Sequence, residues 1–302
     1  MSPPAPLYLC GPTASGKSSL AVEIARQADG EVVNADAYQL YRGLETLTAA
    51  PTREQREIVP HHLFGVLDPD EGCDAMRFRE LALPVIEEVL SRGKLPIVTG
   101  GSGLYLKFLT HGPSPLPTGD PAHRERLAAL SLNELVERLK HLDPVEAART
   151  DLMNRRYVTR AVEICELSGE RCSDLRDRWE TITADVGNKL RGIFIQRERA
   201  DLHQRIHRRS AEMLDGAIEE VAVLGDASET LGMAIGYREV RELLDGGIDR
   251  ETCVERIRTA TRQYAKRQET WFRREAWLKP LVWAPDAAVP LNPALRLAGI
   301  RF

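Results

Sequence analysis

The segment LYLCGPTASGKSSLA, residues 7–21, limits the possible folds of this chain more than any other stretch. An apolar run precedes the pattern G-x-x-x-x-G-K-S and a helical pattern follows it, which is the order of a phosphate-binding P-loop. Backbone N–H groups and the helix N-terminus would hold a diphosphate, with Lys17 on its outer oxygens and Ser18 on Mg²⁺. The predicted diphosphate-binding residues of this loop are Gly11, Pro12, Thr13, Ala14, Ser15, Gly16, Lys17 and Ser18.

Strand and helix patterns alternate through the first 110 residues. GEVVNADAYQLY and LPIVTGG are typical of buried strands, and MRFRELALPVIEEVLSRGK is typical of an amphipathic helix between them. This alternation predicts an α/β fold, a P-loop NTPase-like core with a parallel sheet and crossover helices. Ligands bind at the carboxyl ends of such strands, where Asp36 and Gly100-Gly101 are expected to face the P-loop.

The end of the strand LPIVTGG bears on which phosphate compound is bound. In many P-loop nucleotide hydrolases an aspartate at the end of a buried strand helps to hold magnesium. Here the strand runs into Thr99-Gly100-Gly101-Ser102 without an acid, so ATP is not excluded but is no longer the default ligand. Asp36 is the acid at a neighbouring strand end. It suits a general base acting on an incoming nucleophile, and the alternative is a helix N-cap.

Composition excludes several classes of protein. The chain is 43% hydrophobic and 28% charged, and it lacks an apolar run of about 18 residues, so we expect a globular protein without a membrane span. The N-terminal MSPPAPLYLC has no pattern of an export signal. Five scattered cysteines favour reduced thiols in the cytoplasm over a zinc site. A net charge of −4 means that any binding to RNA must use local basic patches.

Several segments in order resemble the tRNA dimethylallyltransferases, also called tRNA isopentenyltransferases or the IPP transferase family. The resemblance implies that the P-loop holds the pyrophosphate of dimethylallyl diphosphate, with Mg²⁺. It also implies transfer of the prenyl group to the exocyclic amine of the adenosine 3′-adjacent to the anticodon of tRNA. We further expect a cytoplasmic monomer. The matching segments are GPTASGKSSLA, NADAYQLYRGL, VPHHLFGVLDP, GGSGLYLK, NRRYVTRAVEI, AIGYREV and QYAKRQETWFRR.

The resemblance also assigns roles to residues. Asp36 would take the proton of the amine, which with Ser18 and Lys17 completes the catalytic set, and Arg238 would neutralise charge on the diphosphate. A base in a stack cannot reach such a pocket, so we expect the target base to be flipped out. Residues matched to tRNA contacts are Asp36, Ala37, Tyr38, Gln39, Ser102, Arg124, Arg155, Arg156, Tyr157, Val158, Thr159 and Arg160. Departures from the usual family pattern are Ala37, Ala50, Tyr157 and Met233.

The middle of the chain predicts a second domain. HGPSPLPTGDPAHRER is rich in proline and glycine, as in a linker, and helical patterns follow it. We expect a helical insertion over 116–155 and a core formed by 1–115 and 156–302, with approximate boundaries. The insertion is either a lid that closes over RNA or a helical decoration of the core.

Near the C-terminus, RIRTATRQYAKRQETWFRRE predicts a helix with a basic side. Its cations suit contacts to tRNA phosphates, with a solvated helix face as the alternative. The tRNA contacts expected here are Arg262, Lys266 and Arg267. The helical spacing predicts a basic side formed by Arg258, Arg262, Lys266 and Arg273 and an apolar side formed by Ile257, Ala260, Tyr264 and Trp271.

The sequence therefore favours a magnesium-dependent tRNA prenyltransferase. Two alternatives remain open: a small-molecule kinase on the same core, and a nucleotide-gated RNA-binding protein without chemistry. The basic C-terminal helix argues against the first, and Asp36 argues against the second. The pair His61-His62 could suggest a metal site, but neighbouring side chains on a strand point to opposite faces, which favours a structural role.

Overall fold

A computed structural model describes residues 5–300 of the chain. These residues form two compact units, one from residues 5–110 with 188–300 and one from His111–Gly187. The strands of the first unit are β1 (Leu7–Cys10), β2 (Gly30–Asn34), β3 (His61–His62), β4 (Leu95–Gly100), β5 (Arg191–Gln196) and β6 (Leu278–Val282).

Fourteen α-helices lie within the described residues. They are α1 (Lys17–Ala28), α2 (Arg53–Ile58), α3 (Ala75–Ser91), α4 (Gly103–His111), α5 (Pro121–Ala128), α6 (Leu132–Leu142), α7 (Pro144–Arg149), α8 (Arg155–Ser168), α9 (Cys172–Thr183), α10 (Arg199–Glu212), α11 (Leu214–Val223), α12 (Tyr237–Leu244), α13 (Arg250–Phe272) and α14 (Leu291–Leu297). None of these helices is both long enough and apolar enough to cross a lipid bilayer.

The first unit is built on one parallel sheet with the strand order β3-β2-β4-β1-β5-β6. Alternate residues of the central strands enter different cores: Leu7 and Leu9 pack with α1, whereas Tyr8 and Cys10 pack with α3. Since both faces are covered, the strands read as continuous apolar runs. The predicted α/β fold with a parallel sheet and crossover helices is confirmed.

The register of this sheet brings the P-loop next to the end of β4. Cys10 at the end of β1 pairs with Gly100 at the end of β4, and Asn34 at the end of β2 pairs with Thr99. The residues that follow β1, β2 and β4 therefore meet at one edge of the sheet. This edge is where a parallel sheet places its ligand.

The second unit is helical and larger than the predicted insertion. It extends from His111 to Gly187, whereas the sequence predicted an insertion over 116–155 and a return to the core at 156. The difference arises because α8 packs against α6: Val158 and Val162 are fully buried in one cluster with Leu135 and Leu139. Helix α9 then packs on α7 and α8, so the unit continues past the predicted boundary.

Candidate active site

The P-loop of the first unit has a geometry that requires glycine at its helical end. Gly16 caps α1 with a φ of 95°, in the left-handed region that glycine tolerates best. A Cβ atom on Gly16 would lie 2.7 Å from the ring of Trp283, the residue that follows β6, so the loop and this ring approach each other too closely for any side chain. Within the described chain, the buried Ser15 Oγ has no hydrogen-bond partner. The loop residues that line the adjoining pocket are Thr13, Ala14, Gly16, Lys17 and Ser18, whereas Ser15 is fully buried.

Lys17 is the first residue of α1 and lines a pocket beside the P-loop. Its Nζ donates a hydrogen bond to the Pro12 carbonyl over 2.9 Å, which folds the side chain back along the loop. Burial lowers the pKa of the Lys17 ammonium to about 8, while Asp36 opposes this shift and Arg209 adds to it. A lysine with this pKa is still mainly protonated at neutral pH and is poised to gain an anionic partner.

Three arginines that follow β5 along the chain donate hydrogen bonds to atoms of the P-loop. The Nε atoms of Arg197 and Arg205 donate to the carbonyls of Ser15 (2.7 Å) and Ala14 (2.8 Å), respectively. Arg209 donates from Nη2 to the Thr13 Oγ1 over 2.7 Å, and burial lowers its pKa. Sequence analysis did not assign these arginines to the site. The available signal was the basic segment QRERADLHQRIHRRSAEML, in which Arg205 and Arg209 are four residues apart on one helix face.

Asp36 lies in a turn directly after β2. The Asn34 side chain holds this turn, because its Oδ1 accepts from the Asp36 N–H over 2.8 Å and its Nδ2 donates to the Asp36 and Leu63 carbonyls. Asp36 Oδ1 accepts the Tyr38 N–H over 3.2 Å. No helix begins here, since the next one, α2, starts at Arg53, so the N-cap alternative is wrong.

The environment of Asp36 changes its acidity. Burial raises the pKa of this carboxyl above its usual range, against the opposing effects of Lys17, the Tyr38 N–H and Arg209. A carboxylate with a raised pKa binds a proton more tightly than one in water does. Asp36 is therefore better suited to accept a proton from a substrate than a carboxylate in water is.

Gly100 at the end of β4 and Gly101 after it make room for protein atoms. A Cβ atom on Gly100 would lie 2.0 Å from the Ala35 carbonyl oxygen, and one on Gly101 would lie 2.0 Å from Gln268 Nε2. The Thr99 hydroxyl donates to the Leu9 carbonyl over 3.2 Å. The end of β4 thus joins β2, β1 and α13, and no acid stands on it.

These groups line one open pocket of about 360 Å³ and a smaller cleft of about 50 Å³. Asp36, Thr13 and Arg209 line both, so the carboxylate lies where the two spaces adjoin. The residues that line the larger pocket are Thr13, Ala14, Gly16, Lys17, Ser18, Ser19, Val32, Asp36, Gln39, Thr48, Ala49, Pro51, Gln55, His61, Phe64, Thr99, Gly100, Arg205, Arg208, Arg209 and Glu212. The smaller cleft adds Tyr38, Leu47, Met213, Ala234, Ile235, Thr261 and Tyr264.

Comparison with known proteins places this geometry in a family. The model described as IPP transferase matches residues 39–275, more than half of the chain. The chain belongs to the IPP transferase family. It is 46% identical over 281 residues to a tRNA dimethylallyltransferase of Akkermansia muciniphila, which covers 93% of this chain and 94% of that one.

Solved structures give the same result for the fold. The full-length tRNA isopentenylpyrophosphate transferase of Bacillus halodurans is 32% identical, with a TM-score of 0.68 and coverage of 97% of this chain and 94% of that one. A eukaryotic dimethylallyltransferase described as acting on tRNA is 26% identical, with a TM-score of 0.77 and coverage of 96% and 77%. The P-loop NTPase-like core is therefore shared with members of the IPP transferase family.

Four residues that the family resemblance assigned to tRNA contact, Ala37, Tyr38, Gln39 and Ser102, lie around Asp36. The Ser102 Oγ accepts the Ala37 N–H over 2.9 Å, and Tyr38 lines the smaller cleft. The Gln39 amide donates to the carbonyls of residues 48 and 49. Three of the four side chains thus hold or line the surroundings of the carboxylate.

Arg238, by contrast, lies away from the pocket. It is on α12, its Nε donates to the Gly232 carbonyl over 3.1 Å, and it lines neither the pocket nor the smaller cleft. The prediction that Arg238 neutralises the diphosphate is therefore wrong for this conformation. The cations that line the pocket come from the P-loop and α10 instead.

The faces of α13 differ from the predicted ones. Its buried stripe is Cys253, Ile257, Thr261, Ala265, Gln268 and Phe272. Trp271, expected on the buried side, is 38% exposed, and the Arg258 side chain, expected on the free side, is only 14% exposed and pairs with Glu255. The prediction for these two residues is wrong because the sequence pattern did not show which side of this 23-residue helix is buried. Lys266 and Arg267 are exposed, and Arg262 is half-buried.

The second unit uses most of its predicted RNA contacts internally. Arg124 and Arg160 both bind the buried Glu163, over 2.8 and 2.5 Å, and Arg155 Nη2 donates to carbonyls at the end of α5. Val158 is fully buried in the core of the unit, so the prediction that it contacts tRNA is wrong. Arg156 and Tyr157 are exposed and Thr159 is half-buried.

The two histidines have separate environments. His62 Nε2 bonds to the buried Glu31 over 2.6 Å, and Arg92 binds the same carboxylate over 2.7 Å, which is the structural role that the sequence favoured. His61 bonds to the Val59 carbonyl through Nδ1 and lines the larger pocket. Across residues 5–300, no three acidic, histidine or cysteine side chains are grouped so that they could hold a metal ion.

Proposed function

We propose that this protein transfers a dimethylallyl group from dimethylallyl diphosphate to the exocyclic amine of the adenosine 3′-adjacent to the anticodon in tRNA, releasing pyrophosphate. The observation that carries the proposal is the pairing of a cationic P-loop pocket with the carboxylate of Asp36, which lies where the pocket adjoins the smaller cleft. The relatives named as tRNA dimethylallyltransferases support the choice of donor and acceptor.

The diphosphate would lie against the P-loop. Lys17, Arg205, Arg208 and Arg209 line this side of the pocket, against one further acid, Glu212, at its rim. The buried Arg209 Nε has no hydrogen-bond partner among the described residues, and Arg209 lines the pocket. Buried polar atoms rarely stay unpaired, so a bound anion with several acceptor oxygens accounts for this N–H.

Magnesium suits this site as a partner of the diphosphate. Mg²⁺ usually keeps several waters and binds through one or two protein groups together with substrate phosphates, so it does not need a cluster of acids. The Ser18 hydroxyl lines the pocket at the start of α1 and would be such a group. When bound, the ion would offset the negative charge on the leaving pyrophosphate.

Asp36 would complete the reaction from the opposite side. As the bond between C1 of the prenyl group and the diphosphate oxygen breaks, the bond between C1 and the adenosine nitrogen forms. Asp36 takes the proton that the nitrogen loses, so the charges balance without a covalent intermediate on the protein. Its position between the pocket and the smaller cleft supports entry of donor and acceptor from different sides. The cytoplasmic location and monomeric state stay predictions.

The decisive experiment combines purified protein, Mg²⁺, labelled dimethylallyl diphosphate and an anticodon stem-loop. We expect label in the RNA and release of pyrophosphate. The matched control is the same stem-loop with purine riboside at the target position, in which a hydrogen replaces the exocyclic amine, and it should stay unlabelled. Tight ATP binding with no binding of the prenyl diphosphate would favour the kinase alternative instead.

A further inference from the structure

The buried Gln268 of α13 links the P-loop to the end of β4. It is 4% exposed; its Oε1 accepts the Thr13 N–H over 2.8 Å and its Nε2 donates to the Gly101 carbonyl over 3.0 Å. Any side chain on Gly101 would collide with this amide, since a Cβ atom would lie 2.0 Å from Nε2. The glycine therefore admits the amide.

The residue that follows Gly101 also forms hydrogen bonds with the turn that contains Asp36. Ser102 follows Gly101, its N–H donates to the Ala35 carbonyl over 3.3 Å, and its Oγ accepts the Ala37 N–H over 2.9 Å. Asp36 Oδ2 lies 3.7 Å from the position that a Cβ atom on Gly101 would take. Hydrogen bonds and the Gly101–Ser102 peptide thus connect the P-loop, through Gln268, to the residues on either side of Asp36.

We infer that Gln268 is a positioning residue that sets the separation between the P-loop and Asp36. The inference rests on the proposed prenyl transfer, in which the carbon must lie between the pyrophosphate and the amine that Asp36 deprotonates. Displacement reactions of this kind depend steeply on alignment, and a misplacement of about 1 Å can lower the rate about 100-fold. Gln268 lines neither the pocket nor the smaller cleft and acts through the two main-chain groups that it holds.

The chemistry of the side chain makes the inference specific. An amide offers one acceptor to the Thr13 N–H and one donor to the Gly101 carbonyl, and both are needed at once. Methionine has nearly the same size and supplies neither. An ionised glutamate keeps the acceptor but faces the Gly101 carbonyl with a second acceptor. A protonated glutamic acid restores the donor and reproduces the pattern of the amide.

The first test compares Gln268→Met with Gln263→Met, an exposed position on the same helix. In single-turnover prenylation we expect Gln268→Met to be about 100-fold slower, while the dissociation constants of tRNA and dimethylallyl diphosphate change much less. Gln263→Met should match the wild type. If the wild type is active and Gln268→Met reacts at the same rate, the inference is overturned and the proposed function stands. If the wild type transfers no prenyl group, the proposed function fails, and this inference fails with it.

The second test uses Gln268→Glu across a pH range, with thermal unfolding to confirm that each variant is folded. The rate of Gln268→Glu divided by that of the wild type should rise as the pH falls, because protonation restores the donor to Gly101. An ionised glutamate at position 268 would raise the pKa of the nearby Asp36 and so lower the ratio as the pH falls, and this effect therefore cannot produce the expected rise. A ratio that stays flat with pH would overturn the inference, including in the case where Gln268→Met fails to fold.

Discussion

Two groups of arginines in this protein lie in similar, arginine-rich sequence segments but differ in whether a carboxylate pairs with them. In the second unit, Arg124 and Arg160 bind the buried Glu163, so a carboxylate neutralises their charge. In the first unit, Arg205 and Arg209 donate to P-loop atoms, and the residues that the structure describes place no carboxylate within 4 Å of either guanidinium. The first group stabilises a helical fold, and the second keeps its charge available for an anion.

A basic segment alone therefore does not identify a binding site. What matters is whether the protein itself supplies the counter-charge. The segment from Arg155 to Arg160 and the segment from Arg205 to Arg209 are each rich in arginine. Only the partners that the tertiary structure brings to them tell the two apart.

The largest effect on the reaction rate is expected at Asp36, the proposed base for the adenosine amine in the first unit. Asp36→Asn is nearly isosteric and should lower single-turnover prenylation about 100- to 10,000-fold, because the amide cannot take the proton. In the wild type the rate should fall with decreasing pH at a value above the usual range of a carboxyl, because burial raises the pKa of Asp36. That acid limb should be absent from the variant, and an undiminished rate in the variant would contradict the role of Asp36 as base.

Arg209→Met tests the available charge directly. A hydrogen bond to a charged group contributes about 1.5–3 kcal/mol, so the affinity for dimethylallyl diphosphate should fall about 10- to 150-fold. Arg124→Met is the matched control from the second unit. It should lower the melting temperature and leave the diphosphate affinity unchanged, as measured by calorimetry. Equal effects of both variants on the affinity would contradict the statement that only the arginines of the first unit are available for an anion.

Lys17 predicts how the affinity for the diphosphate depends on pH. Its ammonium holds an anion only when protonated, and burial lowers its pKa to about 8. The affinity of the free enzyme should therefore be constant near neutral pH and fall up to about tenfold per unit above pH 8. Lys17→Arg keeps its charge at alkaline pH and should remove this decrease, even if the variant binds more weakly throughout. An alkaline limb that persists in Lys17→Arg would point to another group.

The smallest effect is expected at the exposed part of α13. Replacing Arg262 and Lys266 together with alanine should lessen the slope of log affinity for tRNA against log salt by less than about two units, since each lost phosphate contact removes about 0.7 to 0.9. The affinity for dimethylallyl diphosphate should not change. An unchanged slope would mean that α13 presents a solvated face, and Arg156 in the second unit would then be the next position to replace.

Much of the fold was predictable because its signals are local. The P-loop pattern, the apolar runs of β1, β2 and β4 and the helical periodicity of α3 each lie within about 20 residues of sequence. The insertion boundary was not predictable in this way, because α8 has a helical pattern that fits either unit. The burial of Val158 against Leu135 and Leu139 decided it.

At the candidate site, the groups with chemical character could be identified from local sequence: Lys17 and Ser18 in the loop, Asp36 after β2, and the glycines at the end of β4. Only the tertiary structure decided their partners. Arg209 and Gln268 reach the P-loop from 196 and 255 residues away along the chain, to Thr13, and Arg238 does not line the pocket. The physical reason is that side-chain charge and hydrogen-bonding capacity are properties of a residue, whereas their use depends on which distant backbone and side-chain groups the fold places within about 3 Å.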